Sequence, residues 1–186
     1  MSNIFIGLIL ALFNLNIDIG STRIGLLPSF IGYYLILKGL IEMQDVSEEF
    51  KKLIPLAWIA IIYSLALYIT DLFGVFADIE QITFLLSIIS IAFSLTISYG
   101  IVSGVRETGQ RNQVLLDGRR LMTSWNSVMI VSILSIFSAF MPLLVIMVII
   151  ADLVAKTIFI IRFRGSKDLY SKFAYSIPDN DDDTAI

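Results

Sequence analysis

Apolar residues run in long blocks along this chain, and charged residues gather in the gaps between the blocks. A helix that crosses a bilayer needs about 20 mostly apolar residues. Blocks of roughly that kind cover residues 4–19, 24–41, 53–73, 79–102, 125–140 and 143–161. The pattern predicts an all-α fold, a polytopic membrane bundle of about six transmembrane helices. They form one domain over residues 1–177, followed by an acidic, disordered tail at 178–186. The first block is short and grows polar toward its end. A short hairpin with the second block is therefore the alternative to a full span.

The gaps differ in charge, and the difference sets an orientation. Lys38, Lys51 and Lys52 flank the gap after the second block. Arg106, Arg111, Arg119 and Arg120 fill the gap after the fourth, and Arg162, Arg164, Lys167 and Lys172 follow the sixth. The gap after the third block has Asp71, Asp78 and Glu80 but no base. Positive residues mark the cytoplasmic side of a membrane protein, so both termini are expected inside. Arg23 is the exception, and Asp18 is close enough in sequence to partner it. Trp125 and Tyr99 fall near the inner interface, as aromatic belts do.

Composition supports a membrane setting. The chain is 57% hydrophobic and 16% charged, with a mean hydropathy of +0.87. A soluble domain would hide such residues behind a charged surface; here lipid must be part of the solvent. The net charge of −3 comes from the acidic tail (Asp179, Asp181, Asp182 and Asp183). There is no cysteine and no histidine. Disulfides, thiolate metal sites, most zinc sites and histidine-dependent hydrolases are thereby excluded. No base precedes the first apolar block and no small-residue cleavage pattern follows it, so that block is expected to be retained.

Two polar pieces have local structure. Asp45-Val46-Ser47-Glu48 reads as a capping box, starting a cytoplasmic helix that runs into the third block. Pro55 is expected to bend it near the membrane. Residues 103–124 read as a partly helical connector with a turn near Asp117-Gly118. Leu169 and Phe173, beside Lys167 and Lys172, suggest an interfacial helix.

Helical spacing picks out candidate faces. Gly7, Ala11, Asn14 and Asp18 share one face of the first block, and Gly25, Gly32 and Gly39 share one face of the second. Tight packing between these two helices is one reading. The other is an outer-side polar cluster of Asn14, Asn16, Asp18 and Arg23. Ser87, Ser90, Ser94 and Ser98 form a stripe on the fourth block. Ser124, Ser127, Ser135 and Ser138 form one on the fifth, with Ser132 at its edge. Both stripes are expected to face protein or water, as interhelical packing or as a hydrated path.

Asp152 and Lys156 are the leading site candidates. Unpaired charges at that depth each cost about 2.5–3.5 kcal/mol on insertion scales. Their i,i+4 order favours a pair. The pair is either a packing salt bridge or a proton-, ion- or solute-coupling site, opened when Asp152 is protonated or a solute carboxylate replaces it.

No enzyme is expected. The aspartates lack an intramembrane protease context, Leu116-Asp117-Gly118-Arg119 lacks the downstream aspartates of a lipid phosphotransferase, and no phosphate loop is present. No cofactor, metal or nucleic acid is implied; the expected partners are the lipid bilayer and other membrane subunits.

The run Leu26-Leu27-Pro28-Ser29-Phe30-Ile31-Gly32-Tyr33-Tyr34-Leu35-Ile36, closed by Gly39-Leu40, resembles a pattern in small multipass membrane proteins of Gram-positive bacteria. Their second helix reads L-P-x-F-I-G-Y-x-L-I, often with an acid where Ser29 stands. The resemblance implies a bacterial cytoplasmic membrane and this helical layout. Three functions fit: an accessory or partner-binding membrane subunit, which is favoured; a small-solute transporter or the solute-binding membrane component of an importer; and an immunity or membrane-stress protein.

Overall fold

The computed structural model describes residues 1–13, 16–19, 22–25, 28–73, 80–111, 116–138 and 142–176. Among them are six helices and one short hairpin. In chain order these are α1 (Ser2–Leu12), β1 (Asn16–Ile19), β2 (Thr22–Gly25), α2 (Ser29–Glu42), α3 (Glu48–Leu72), α4 (Glu80–Arg111), α5 (Gly118–Ser138) and α6 (Pro142–Ser176). The fold is helical apart from the hairpin. Four helices, α3 to α6, are long and apolar enough to cross a membrane, so this is a membrane-embedded protein. Asn14 and the acidic tail lie outside the described residues.

Each helix runs antiparallel to the one before it. Gly7 meets Gly32 and Ile4 meets Gly39 between α1 and α2. Leu53 meets Gly100 and Phe50 meets Gly104 between α3 and α4. Trp125 of α5 reaches Ser98 of α4, and Arg162 of α6 reaches the Arg120 carbonyl of α5. The ring closes where Phe5 of α1 stacks on Phe163 of α6, with centroids 6.3 Å apart. The Lys167 ammonium lies 5.0 Å from the Phe5 centroid. The start of α1 and the C-terminal part of α6 therefore share one end of the bundle. Every basic residue except Arg23 and Lys156 falls toward that end.

The starts of the helices follow local chemistry. α3 is capped by Ser47, whose hydroxyl accepts from the Glu49 N–H at 3.2 Å. The cap lies two residues later than an Asp45–Glu48 box would place it. The Ser47 hydroxyl also donates to Glu107 of α4, which ties the two helices together at the basic end. α3 continues through Pro55; the missing N–H there forfeits only a bond to the Lys51 carbonyl, one turn from the helix start. Before α5 the chain turns at Asp117, which has φ 49. Aspartate tolerates that left-handed conformation, and its carbonyl accepts from the Leu121 N–H at 3.0 Å. The buried Ser166 hydroxyl clamps the same turn by donating to the Leu116 carbonyl at 2.9 Å. The tail segment at Leu169 and Phe173 is the continuation of α6, with no break that would make it a separate interfacial helix.

The first two elements are not full spans: α1 fits the alternative of a short hairpin with the second block, while α2, read from sequence as a span, departs from that reading. α1 has 11 residues and α2 has 14. At 1.5 Å per residue they reach about 16 and 21 Å, short of the roughly 30 Å of hydrocarbon. The helical face expected from Gly7 to Asp18 ends at Leu12. Asp18 is in β1, and the antiparallel register sets it opposite Arg23. Gly25 is in β2, opposite Asn16, so it does not continue the helical face of Gly32 and Gly39. The alternation in Asn16-Ile17-Asp18-Ile19 has the period of a strand, and that outweighs the helical spacing.

The packed core occupies the basic half. Ile4, Leu8, Ile36, Leu40, Phe50, Ala57, Ile97, Ile101, Val105, Leu121, Phe159 and Phe163 are all buried there. In the other half, Ile62, Ile69, Leu85, Phe137, Ile146 and Ile149 are exposed. Helices α1 and α2 end before reaching it, so only four helices and the hairpin remain to fill that space.

Candidate functional site

A cavity of about 190 Å³ opens where the two short helices end. It is lined by Ala11 and Leu12 of α1, Pro28, Ser29 and Tyr33 of α2, and Tyr63, Ser64, Leu67, Tyr68 and Asp71 of α3. Ser90, Ile91, Phe93 and Ser94 of α4 and Lys156 of α6 complete the wall. Strand β2 packs on α3 nearby. Non-helical backbone at membrane depth is tolerated only where protein or water covers it.

Each wall is polar for a local reason. Tyr63, Ser64, Leu67, Tyr68 and Asp71 form one inward stripe on α3 at helical spacing. The Tyr63 hydroxyl donates to the Leu86 carbonyl of α4 at 2.7 Å, and the Ser90 hydroxyl donates to the same carbonyl at 3.0 Å. The buried Tyr33 hydroxyl hydrogen-bonds with Ser94. Rings brace the wall: Phe30 meets Tyr68 edge-on at 5.5 Å, and Tyr63 meets Phe93 at 5.2 Å. The hydrogen bonds hold Tyr33 and Tyr63 in place, and the ring contact with Phe30 braces Tyr68.

Lys156 supplies a cation to this wall. On α6 the residues Asp152, Ala155, Lys156, Phe159, Phe163 and Ser166 share one side of the helix. The last four positions face the bundle, and Ala155 is buried. The Lys156 ammonium lies 2.5 Å from the Asp152 carboxylate, with the two side chains 22% and 24% exposed. Both charges are thus mostly withdrawn from the surface. Lys156 reaches the cavity while Asp152 stays beside it on the same helix. The ends of the short helices add partial charge. The first turn of α2 carries the positive end of its peptide dipoles, and the last turn of α1 the negative end of its own.

The other predicted positions fall as follows. Gly7, Gly32 and Gly39 lie at the α1–α2 contact, where a Cβ on Gly32 would sit 2.7 Å from the Ala11 nitrogen. Of the α4 stripe, Ser90 and Ser94 line the cavity. Ser98 is buried, where it accepts from the Trp125 indole at 3.0 Å. Ser87 is exposed, contrary to expectation, and its hydroxyl bonds to the Thr83 and Phe84 carbonyls of its own helix. On α5, Ser124 and Ser138 are buried and Ser135 is half-buried, as the expected stripe requires; Ser127 departs from it by being exposed, and Ser132 at its edge is buried. Most of these serines bond back to a carbonyl three or four residues earlier, which satisfies the hydroxyl on any face. A serine stripe is therefore a weak guide to the inward side. Asn14 lies outside the described residues, and Asn16, Asp18 and Arg23 are placed only by the backbone register of the hairpin.

The tyrosines were not among the sequence candidates. Tyr63, Tyr68 and Asp71 recur on one face of the third block, and that spacing was their signal. Gly100 and Gly104, four apart, likewise mark the close α3–α4 contact against Leu53 and Phe50. Comparison with protein-family models, curated proteins and solved structures finds no match to this chain.

Proposed function

We propose that this protein binds a small polar solute within the membrane, as a non-enzymatic transport or solute-binding component. One observation carries the reading: four helices and the end of a fifth converge polar side chains and a lysine on one cavity in the non-basic half. By the positive-inside rule that half is the outer one, and the setting is a bacterial cytoplasmic membrane. Intramembrane ionisable groups default to functional roles, and sites at discontinuous or short helices are a recurring transporter device. Size limits the ligand. A volume of 190 Å³ falls below the roughly 300 Å³ of drug-sized pockets and is far too small for a lipid. It suits a compact metabolite, or about six waters at about 30 Å³ each.

The test is native mass spectrometry of the full chain purified in mild detergent, beside Lys156→Met. The expected result is a stoichiometric small molecule on the wild-type protein that is lost from the variant. A protein subunit that copurifies in the absence of any small molecule would return the favoured role to an accessory one.

A further inference from the structure

We propose that the groove between α4 and α5 at the basic end binds an anionic phospholipid. Its phosphate lies between Arg106 and Arg119, and an acyl chain follows the exposed apolar face beyond them. This site is separate from the solute cavity and does not depend on it. An open cavity of about 610 Å³ lies between the two helices, within the roughly 300–1,000 Å³ of small-molecule sites. Arg106 and Gln110 line it from α4, and Arg119, Met122 and Asn126 from α5. A close approach brings the two arginines together. A Cβ on Gly118 would sit 3.1 Å from the Arg106 Cα and 3.2 Å from the Arg106 Cβ. A residue without a side chain therefore lets the start of α5 lie against α4 there, and Arg119 follows it directly.

The groove has more positive charge than its own acids cancel. Glu107 is engaged with α3, where its carboxylate accepts from the Ser47 hydroxyl. Asp117 lines the groove, but its carboxylate lies 3.6 Å from Arg120. Neither Arg106 nor Arg119 has an ion pair among the described residues, and residues 112–115 contain no acid. Guanidinium groups match phosphate oxygens with paired N–H bonds. A zwitterionic headgroup would bring a cation of its own to an already cationic site, so an anionic headgroup fits better.

The same pair of helices turns apolar away from the arginines. Arg106 meets Gly118, and Tyr99 meets Trp125 with ring centroids 4.9 Å apart. Seven residues on each helix, about 10 Å of rise, thus separate the arginines from the aromatic pair. Aromatic belts sit at headgroup level, which sets the arginines on the aqueous side of that level. At helical spacing the Arg106 face of α4 continues through Tyr99, and the Arg119 face of α5 continues through Ile130, Ile133 and Phe137. All four are exposed. Basic charge at one end and apolar surface at the other match an amphipathic anion, and a free phosphate would use only the first. Basic pockets between membrane helices recur as headgroup sites.

The experiment is native mass spectrometry of the full chain in mild detergent, titrated with dioleoyl phosphatidylglycerol or dioleoyl phosphatidylcholine. The wild-type protein is expected to retain one phosphatidylglycerol per chain in preference to phosphatidylcholine. Arg106→Gln and Arg119→Gln should each weaken that binding by about fivefold, the effect of one basic residue at a membrane surface. Arg164→Gln, which removes the same charge from an exposed position on α6, should leave it unchanged. Inorganic phosphate and glycerophosphoglycerol, the headgroup without its chains, should not compete. Equal affinity for the two lipids would overturn the proposal. An equal loss in Arg164→Gln would overturn it too, by showing a diffuse effect of net charge. Displacement by inorganic phosphate or glycerophosphoglycerol would make this a site for soluble phosphates and not for a lipid. Arg106 and Arg119 are exposed, so their variants are expected to fold, and the wild-type comparison of the two lipids decides the outcome if one does not.

Discussion

The sharpest structural test compares two glycines that look alike in sequence. Gly32 of α2 and Gly165 of α6 both lie inside helices. A Cβ on Gly32 would meet the Ala11 nitrogen at 2.7 Å, the Gly7 carbonyl oxygen at 2.9 Å and the Ala11 Cα at 3.1 Å. All three are backbone atoms, so no side chain can swing aside. Ordinary contact needs about 3.5 Å, so α1 must retreat by something near 0.8 Å, enough to forfeit a quarter to a half of the local dispersion energy. Overpacking of this kind costs about 1–3 kcal/mol, and the helix gains about 0.5–1 kcal/mol when alanine replaces glycine. Gly32→Ala should therefore lose between nothing and about 2.5 kcal/mol net. A Cβ on Gly165 meets nothing within 4 Å, so Gly165→Ala should keep the full gain of about 0.5–1 kcal/mol. Reversible unfolding in mixed detergent micelles, followed by tryptophan emission, measures both. If Gly32→Ala is stabilised as Gly165→Ala is, the close α1–α2 contact is refuted. With it would go the reason the cavity wall at Ala11 and Tyr33 stands where it does.

Further outcomes follow from other contacts. Ser98→Ala leaves the buried Trp125 indole without its 3.0 Å acceptor; it should destabilise the protein by about 1–3 kcal/mol and blue-shift Trp125 emission when read in a Trp58→Phe background. Asp152→Asn and Lys156→Met should each destabilise, while Asp152→Leu with Lys156→Met should recover part of the loss, giving a coupling of about 0.5–3 kcal/mol in a double-mutant cycle; full additivity would mean that the pair is not coupled. The absence of cysteine makes topology directly readable. Phe73→Cys should react with an impermeant maleimide from outside intact cells, and Arg111→Cys only after the membrane is opened.

The long helices were legible because length and apolarity suffice to specify them. The third block, 53–73, and the sixth, 143–161, each sit inside one continuous helix that extends into the basic gap, α3 from Glu48 and α6 to Ser176. Hydropathy reports the membrane portion of a helix and is blind to its polar extension. The β-hairpin was missed for the opposite reason. Ile17, Ile19 and Ile24 keep the apolar signal running past the end of α1, although the alternation around Asp18 and the Gly20-Ser21 pair between the strands is a hairpin signature. The cavity was only partly legible. Lys156 and Ser90 stand out as polar residues in apolar surroundings, but Tyr63 and Tyr68 read equally well as interface aromatics. Which of these meet depends on how each helix is rotated about its axis. That rotation is fixed by the contacts at Gly7, Gly100 and Gly104, and no single segment contains it.

Helix length and site formation are linked. In a bundle of six full-length helices, the non-basic half would pack as the basic half does, and polar side chains there would have little to line. Because α1 and α2 stop at Leu12 and begin at Ser29, about 10 Å of bilayer depth is left without them. Apolar walls around such a space would close by side-chain repacking, since voids lose contacts on one side. Here the walls carry Tyr33, Tyr63, Ser90 and Ser94, whose hydroxyls are already held by neighbouring helices. Pulling them inward to fill the space would break those bonds in a medium that offers few replacements. The short helices create the space and the hydrogen-bonded tyrosines keep it open, while Lys156 gives it a charge. A function placed elsewhere on the molecule would leave that combination unexplained.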